Sequence, residues 1–254
     1  MIIRKTIFQV CLCFLLIFCG HVYADHQEHK FNEANKYYQN GQYEEAISAY
    51  EEILGMEYES AELYYNLGNS FYKLGKNPQA ILNYERASRL KPNDEDIKFN
   101  LQITNLQVVD KIPSIPELFY VKFINDMRNY FSLHSLTLLT VFIYICFFTF
   151  LIIWLLIKPG SLRRIFKTLS YGFVVILILF SFLFISKVFH KRVDAIVMEG
   201  EIDVRSAPSS DGTEIFKIHE GLKVKITDRR GDWIEIRLSD GKEGWLESLA
   251  IEAI

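Results

Sequence analysis

Few side chains in this 254-residue sequence are spaced for chemistry. His26 and His29 stand three apart, so one helical face can carry both. No third ligand at metal-site spacing accompanies them, and the pair reads as an exposed helix end rather than a metal centre. There are four cysteines. Cys11, Cys13 and Cys19 fall in the first twenty residues, and Cys146 falls inside a long apolar run. The remaining parts carry none, which leaves neither a disulfide framework nor a thiolate metal site. The sequence has no phosphate-binding glycine loop, no nucleophile elbow and no His-Glu-x-x-His. The expectation is a non-enzyme with no catalytic residue, no cofactor and no metal, whose side chains hold other molecules.

The elements that would position such side chains are set by two uncharged apolar runs, residues 136–157 and 168–186. A helix rises about 1.5 Å per residue and a bilayer core is about 30 Å thick, so each run is long enough to span. Neither run contains a charge to carry an ion or a proton. Residues 158–167 between them hold Lys158, Arg163, Arg164 and Lys167 and no acid. That pattern predicts a transmembrane hairpin with its loop in the cytoplasm. Two spans bring the chain back to the side it came from. Residues 1–24 open with Arg4 and Lys5, continue apolar from Ile7 to Phe18 and close on Val22-Tyr23-Ala24. This is the pattern of a secretory signal peptide, with an uncleaved anchor as the alternative. Ile17 and Phe18 before Cys19 argue against a lipoprotein. The expected location is a bacterial inner membrane, crossed twice, with both soluble parts in the periplasm.

Charge follows the same division. Residues 25–111 carry 9 basic and 15 acidic side chains, and residues 193–254 carry 8 and 14. Both soluble parts are acidic, while the cations gather near the apolar runs. Nucleic acid needs a basic face to neutralise phosphate, so it is excluded as a partner.

Shifting the sequence by 34 positions aligns Gly41 with Gly75, Ala46 with Ala80, Ile47 with Ile81, Tyr50 with Tyr84 and Glu51 with Glu85. Ala34 falls on Gly68 and Tyr37 on Phe71. This period, with small and aromatic residues at these places, resembles the tetratricopeptide repeat. The second copy, 61–94, is the closer match, through Tyr64, Leu67, Gly68, Phe71, Ala80, Tyr84, Ala87 and Pro92. Gly68 and Ala80 let two antiparallel helices approach; Gly75 ends the first, and Asn77-Pro78 starts the second as N-cap and first-turn proline. A helix from Asp94 to about Val109 begins like a third copy and caps the stack, with the membrane-proximal segment helping to cover its end. The resemblance implies a groove lined by Phe31, Asn35, Tyr38, Tyr65, Asn66, Asn69, Tyr72 and Phe99. Some members of the family grip a C-terminal carboxylate with two asparagines and three cations. Asn35 and Asn66 match those asparagines, but Phe31, Asp96 and Asn100 stand in place of the cations. The groove is therefore expected to take peptide by stacking, apolar burial and backbone hydrogen bonds.

Residues 112–135 form a linker, broken at Ile112-Pro113-Ser114-Ile115-Pro116, followed by an amphipathic helix. Tyr120, Phe123, Ile124, Met127 and Phe131 make one face; Lys122, Asn125, Asp126 and Asn129 make the other. Two placements are open: the membrane interface, or against the repeats.

After residue 193 the pattern changes to short alternating runs between turn residues: 195–198, 214–218, 223–227, 233–238 and 243–246. In residues 233–238, Trp233, Glu235 and Arg237 make one face and Ile234, Ile236 and Leu238 the other. Five or six strands in about 60 residues suit a small barrel. Val204-Arg205-Ser206-Ala207-Pro208, Glu220-Gly221, Gly231-Asp232-Trp233 and Asp240-Gly241-Lys242-Glu243-Gly244-Trp245-Leu246 resemble a bacterial SH3 domain over 193–254. The Arg230-Gly231-Asp232 triplet reads as a turn.

The chain is thus expected to be a multidomain membrane protein: an all-α tetratricopeptide-repeat stack (25–111), a two-helix transmembrane hairpin and a small all-β SH3-like barrel. That order, over the full length, resembles the E-type proteins of the bacterial aerotolerance (Bat) operon. The resemblance implies an inner-membrane scaffold, or adaptor, in an envelope complex linked to stress or aerotolerance. Its implied partners are membrane proteins with von Willebrand factor A domains and a MoxR-type AAA+ ATPase system, alongside the lipid bilayer. The alternative is a cell-wall sensor or tether that binds peptidoglycan through the SH3 domain.

Overall fold

Gly41 and Gly75, one repeat apart, both adopt left-handed backbone, with φ of +78° and +72°. Each follows the first helix of a pair and turns the chain into the second. They belong to a computed structural model that describes residues 27–189 and 193–254. The signal-peptide reading of residues 1–24, and His26, lie outside the described residues. The repeats comprise α1 (residues 27–39), α2 (Tyr43–Gly55), α3 (Ala61–Lys73) and α4 (Asn77–Leu90), and α5 (Glu95–Asn105) follows.

Close approach of α3 and α4 depends on Gly68. A Cβ built there would lie 2.8 Å from two ring carbons of Tyr84 and 3.3 Å from the Ala80 carbonyl oxygen. Capping differs in detail from the sequence reading. Asn77 is the first helical residue of α4; Lys76 takes the N-cap without a side-chain bond, and Pro78 lies in the first turn. There its missing N–H costs no helical bond. Ser60 caps α3 by accepting from the Leu63 N–H, and Asp94 caps α5 by accepting from Asp96 and Ile97.

α6 (Phe119–Tyr130) precedes α7 (Leu133–Leu156) and α8 (Ser161–Phe189). The last two helices are long and apolar enough to cross a membrane. They pack side by side and antiparallel, with Phe150 of α7 against Phe173 of α8 at 5.1 Å, while Phe131, just before α7, meets Phe180 of α8 at 6.2 Å. α8 starts earlier than its apolar run. Arg163, Arg164 and Lys167 lie on its first turns, and only residues 157–160 link the helices.

The C-terminal part is a seven-stranded antiparallel sheet in the order β3-β2-β6-β5-β4-β1-β7. Its strands are β1 (Asp194–Val197), β2 (Glu201–Arg205), β3 (Glu214–His219), β4 (Lys223–Arg230), β5 (Trp233–Arg237), β6 (Glu243–Glu247) and β7 (Ile251–Ala253). The alternation in β5 works as expected: Ile234, Ile236 and the following Leu238 are buried. Gly244 is needed where β6 passes β2, since a Cβ there would lie 2.5 Å from Val204 Cγ1. Gly231 takes φ of +60° in the Arg230-Gly231-Asp232 turn between β4 and β5.

The repeats and the barrel share one apolar core. Ile81 and Leu82 of α4, with Val108 after α5, join Ala195, Ile196, Val197, Leu222, Val224 and Ile251 of the barrel; Leu101 and Ile112 pack at its margin. A solenoid must cover the face of its last repeat. Here β1 lies against α4 and does so. α5 packs on α4 as the expected cap, and the barrel adds the further cover that the sequence suggested the membrane-proximal segment would give. Polar links surround this core. Arg86 donates to Glu252 at 2.9 Å and to the Ala253 carbonyl at 2.9 Å, and Lys223 donates to Glu85 at 2.8 Å. Residues 106–116 run across the barrel, where the Ile115 N–H donates to the Ser239 carbonyl at 3.1 Å.

Candidate partner-binding groove

α1, α3 and α5 are joined by a ladder of amides and phenols that repeats with the 34-residue period. The Tyr50 hydroxyl donates to Asn35 Oδ1 at 2.6 Å, and Asn66 Nδ2 donates to the same oxygen at 2.9 Å. One repeat on, the Tyr84 hydroxyl donates to Asn69 Oδ1 at 2.8 Å and Asn100 Nδ2 donates to it at 2.9 Å. Each asparagine oxygen thus accepts from the second helix of its own repeat and from the first helix of the next. Burial is the main cause that pushes the Tyr50 and Tyr84 hydroxyls far above the ordinary phenol range, so both remain protonated donors at neutral pH.

The ladder changes the roles of several expected groove residues. Asn35, Asn66 and Asn69 tie helices together, which leaves Asn35 Nδ2, Asn69 Nδ2 and Asn66 Oδ1 for a ligand. Asn100, which stands at a cation place of the clamp, belongs to the same network, as do Tyr50 and Tyr84, which the sequence alone does not put in the groove. The signal was present, since Asn66 and Asn100, like Asn35 and Asn69, are 34 apart. Tyr65 is only partly available. Its ring sits 5.9 Å from that of Tyr84, and its hydroxyl accepts from Asn100 at 3.0 Å. Phe31 leans on Tyr50 at 5.9 Å, and Tyr38 on Tyr43 at 5.5 Å. Burial first, then the neighbouring Tyr43 and Tyr65, raise the Tyr38 hydroxyl above its ordinary range. Tyr72 is 37% exposed and Phe99 61% exposed, so these two are the open aromatic surfaces.

Phe31, Tyr65 and Asn66 come together in one pocket, with Ala61, Glu62, Lys91, Asp94, Asp96 and Ile97 completing its wall. Lys91 is a cation that the sequence reading did not place here. It is paired with Glu62, whose hydrogen bond is the main cause holding the ammonium above its ordinary range. Asp94 and Asp96 share the wall. A bound carboxylate would meet a neutralised lysine and two acids. The pocket can instead accept apolar and aromatic side chains and the polar groups of an uncharged backbone.

None of these groove side chains enters the core shared with the barrel. The barrel meets the other side of α4, through Ile81, Leu82, Glu85 and Arg86. In the barrel, Trp245 is 6% exposed and lies under the Arg230 guanidinium at 5.0 Å. It is chiefly a core side chain. Among the described residues, no group of three or more His, Cys, Asp or Glu is placed to hold a metal ion.

This arrangement defines a protein of linked binding modules. Residues 31–95 match the family model described as tetratricopeptide repeat, and residues 200–252 match that described as bacterial SH3 domain. The chain therefore contains tetratricopeptide repeats and a bacterial SH3 domain, flanking two helices apolar enough to cross a membrane. Comparison with curated proteins returns no match. Among solved structures, the Yersinia enterocolitica type III secretion translocator chaperone SycD is similar at 18% identity and a TM-score of 0.32. The likeness covers 63% of this chain and 86% of that one.

Proposed function

We propose that this protein is a non-catalytic scaffold, anchored in the inner membrane, that binds protein partners on the periplasmic side through its repeats and its SH3 domain. The observation that carries this reading is the back-to-back docking of the two modules. The barrel covers the side of α4 turned away from α3, and the aromatic and amide face of α1, α3 and α5 stays open. A shared core also requires both modules to lie on one side of the membrane. The hairpin of α7 and α8 meets that requirement, and its outward side chains, such as Phe142, Ile145, Ile178 and Phe182, are apolar and exposed. The cations on the first turns of α8 support a cytoplasmic hairpin tip and hence periplasmic modules.

The resemblance to the Bat E-type proteins makes the finer proposal that the complex serves stress tolerance or aerotolerance. Membrane proteins with von Willebrand factor A domains and a MoxR-type ATPase system are then the partners to look for first. Photo-crosslinking in intact cells tests the scaffold reading. A photoreactive residue replaces Tyr72 or Phe99 in the groove, or Leu249, which is 88% exposed on the barrel. The reading expects discrete protein adducts at positions 72 and 99. Adducts to peptidoglycan at position 249, with none in the groove, would favour the cell-wall tether instead.

A further inference from the structure

α6 buries two polar side chains and leaves its aromatic ones exposed. Asn125 and Arg128 are buried, at 8% and 6% exposure. Asn125 Nδ2 donates to Glu117 Oε2 at 2.9 Å, and Asn125 Oδ1 accepts from Arg128 at 3.0 Å. Lys187, near the end of α8, donates to the backbone oxygens of Arg128, at 3.0 Å, and Phe131. These bonds fix α6 to the end of the hairpin. By contrast, Phe119, Tyr120, Phe123 and Tyr130 are 84, 51, 63 and 59% exposed. A helix on the surface of a soluble domain shows the opposite pattern. The repeats reach the end of α6 through a polar contact, Asn93 Nδ2 to the Tyr130 carbonyl at 2.8 Å.

We propose that α6 lies in the boundary between headgroups and acyl chains of the bilayer, with its aromatic arc turned to lipid, on the side that carries the soluble modules. This rests on the reading that α7 and α8 span. Continuity selects lipid as the occupant. α6 ends at Tyr130 and α7 starts at Leu133, while Phe131 between them packs on Phe180 of α8. The exposed arc of α6 therefore runs on into the exposed apolar surface of the hairpin. Tyrosine at both ends of the arc suits a boundary that is apolar on one side and wet on the other. Lys122, Asp126 and Asn129, all exposed, form the remaining face and point to water. In this position α6 is a foot, and the Asn93 contact sets the repeats at a fixed height above the membrane.

The test uses the full chain, with its four cysteines replaced by serine, in vesicles of phosphatidylcholine and phosphatidylglycerol. Single cysteines are introduced as Phe123→Cys, Asn129→Cys and Ile145→Cys and carry an environment-sensitive fluorophore. Nitroxide lipids, with the spin label at a shallow or a deep acyl position, and aqueous iodide serve as quenchers. The proposal expects the label at position 123 to be quenched more by the shallow nitroxide than by the deep one. Iodide should quench it several-fold less than the label at position 129. Position 145, outward on α7, reports the spans by themselves. Nitroxide quenching at 145 with none at 123 leaves the spans in place and overturns the interfacial helix. Loss of quenching at 145 overturns the spanning reading and this proposal with it. Shielding of position 123 from iodide without nitroxide quenching means that protein covers the arc, which also overturns it.

Discussion

The carboxylate of Asp110 accepts the backbone N–H of His219 at 2.7 Å and lies 3.0 Å from the ring Nδ1 of the same residue. One residue thus fastens the segment that leaves the repeats to the end of β3, on the rim of the shared core. Hydrogen bonds to a charged acceptor contribute about 1.5–3 kcal/mol. Asp110→Ala should therefore speed hydrogen exchange of the His219 amide by about tenfold or more, since about 1.4 kcal/mol is a factor of ten. Exchange in β5, three strands from β3 in the sheet order, should change little. The measurement is exchange mass spectrometry on the detergent-solubilised full chain. An unchanged His219 amide would mean that the contact does not latch the domains.

Gly68 sets the distance between α3 and α4. Gly68→Leu should destabilise the repeats by about 1–3 kcal/mol through overpacking, because Tyr84 and Ala80 leave no room for a side chain. Denaturation of the full chain, followed by helical signal, checks this. The isolated repeats are a poor substitute, since Ile81 and Leu82 lose their cover without the barrel.

The amide ladder makes a prediction about symmetry. Tyr50→Phe and Tyr84→Phe each remove one donor from an asparagine oxygen that keeps a second, so each should cost about 0.5–1.5 kcal/mol. The two losses should add, because no partner is shared between the rungs. Asn100→Ala should cost more than Tyr84→Phe, since Asn100 bonds both Asn69 and Tyr65. Denaturation midpoints for the three variants and the double variant measure this.

Recognition by the groove should depend weakly on salt and little on a free C-terminal carboxylate. The one cation in the pocket wall is paired with Glu62, and Asp94 and Asp96 stand beside it. Tyr72→Ala and Phe99→Ala should each weaken partner capture by more than about 1 kcal/mol without loss of helix, as expected of interface aromatics. Tyr65→Ala should weaken capture and also stability, because its ring packs on Tyr84. Titration of a crosslinked partner at low and high salt, with its C-terminus free or amidated, is the check. Loss of binding on amidation would contradict this account of the pocket.

The helical pairs were legible because each signal occurs twice: Gly41 with Gly75 and Ala46 with Ala80 specify the same turn and contact in both repeats. The start of α8 was not legible from hydropathy, because Arg163, Arg164 and Lys167 lower the average without breaking the helix. β2 alternates, with Ile202 and Val204 buried, but it is short and highly charged; β7 has only three residues. In the groove, residue types and positions could be read, but not which amides would bond each other. The docking of barrel on repeats was hidden for a different reason. Ile81 and Leu82 look like interior residues of any repeat, and most of the side chains in the core that buries them lie more than one hundred positions away.

The central claim is that both modules stand on one side of the membrane and the hairpin tip on the other. It can be measured in intact spheroplasts with a membrane-impermeant maleimide. A chain whose four cysteines are serine would carry Lys98→Cys, Lys242→Cys or Lys158→Cys, all at exposed positions. The account predicts that cysteines at 98 and 242 are labelled from outside, and that the one at 158 is labelled only after lysis. Labelling of 98 and 242 from opposite sides would contradict the hairpin and the shared core together.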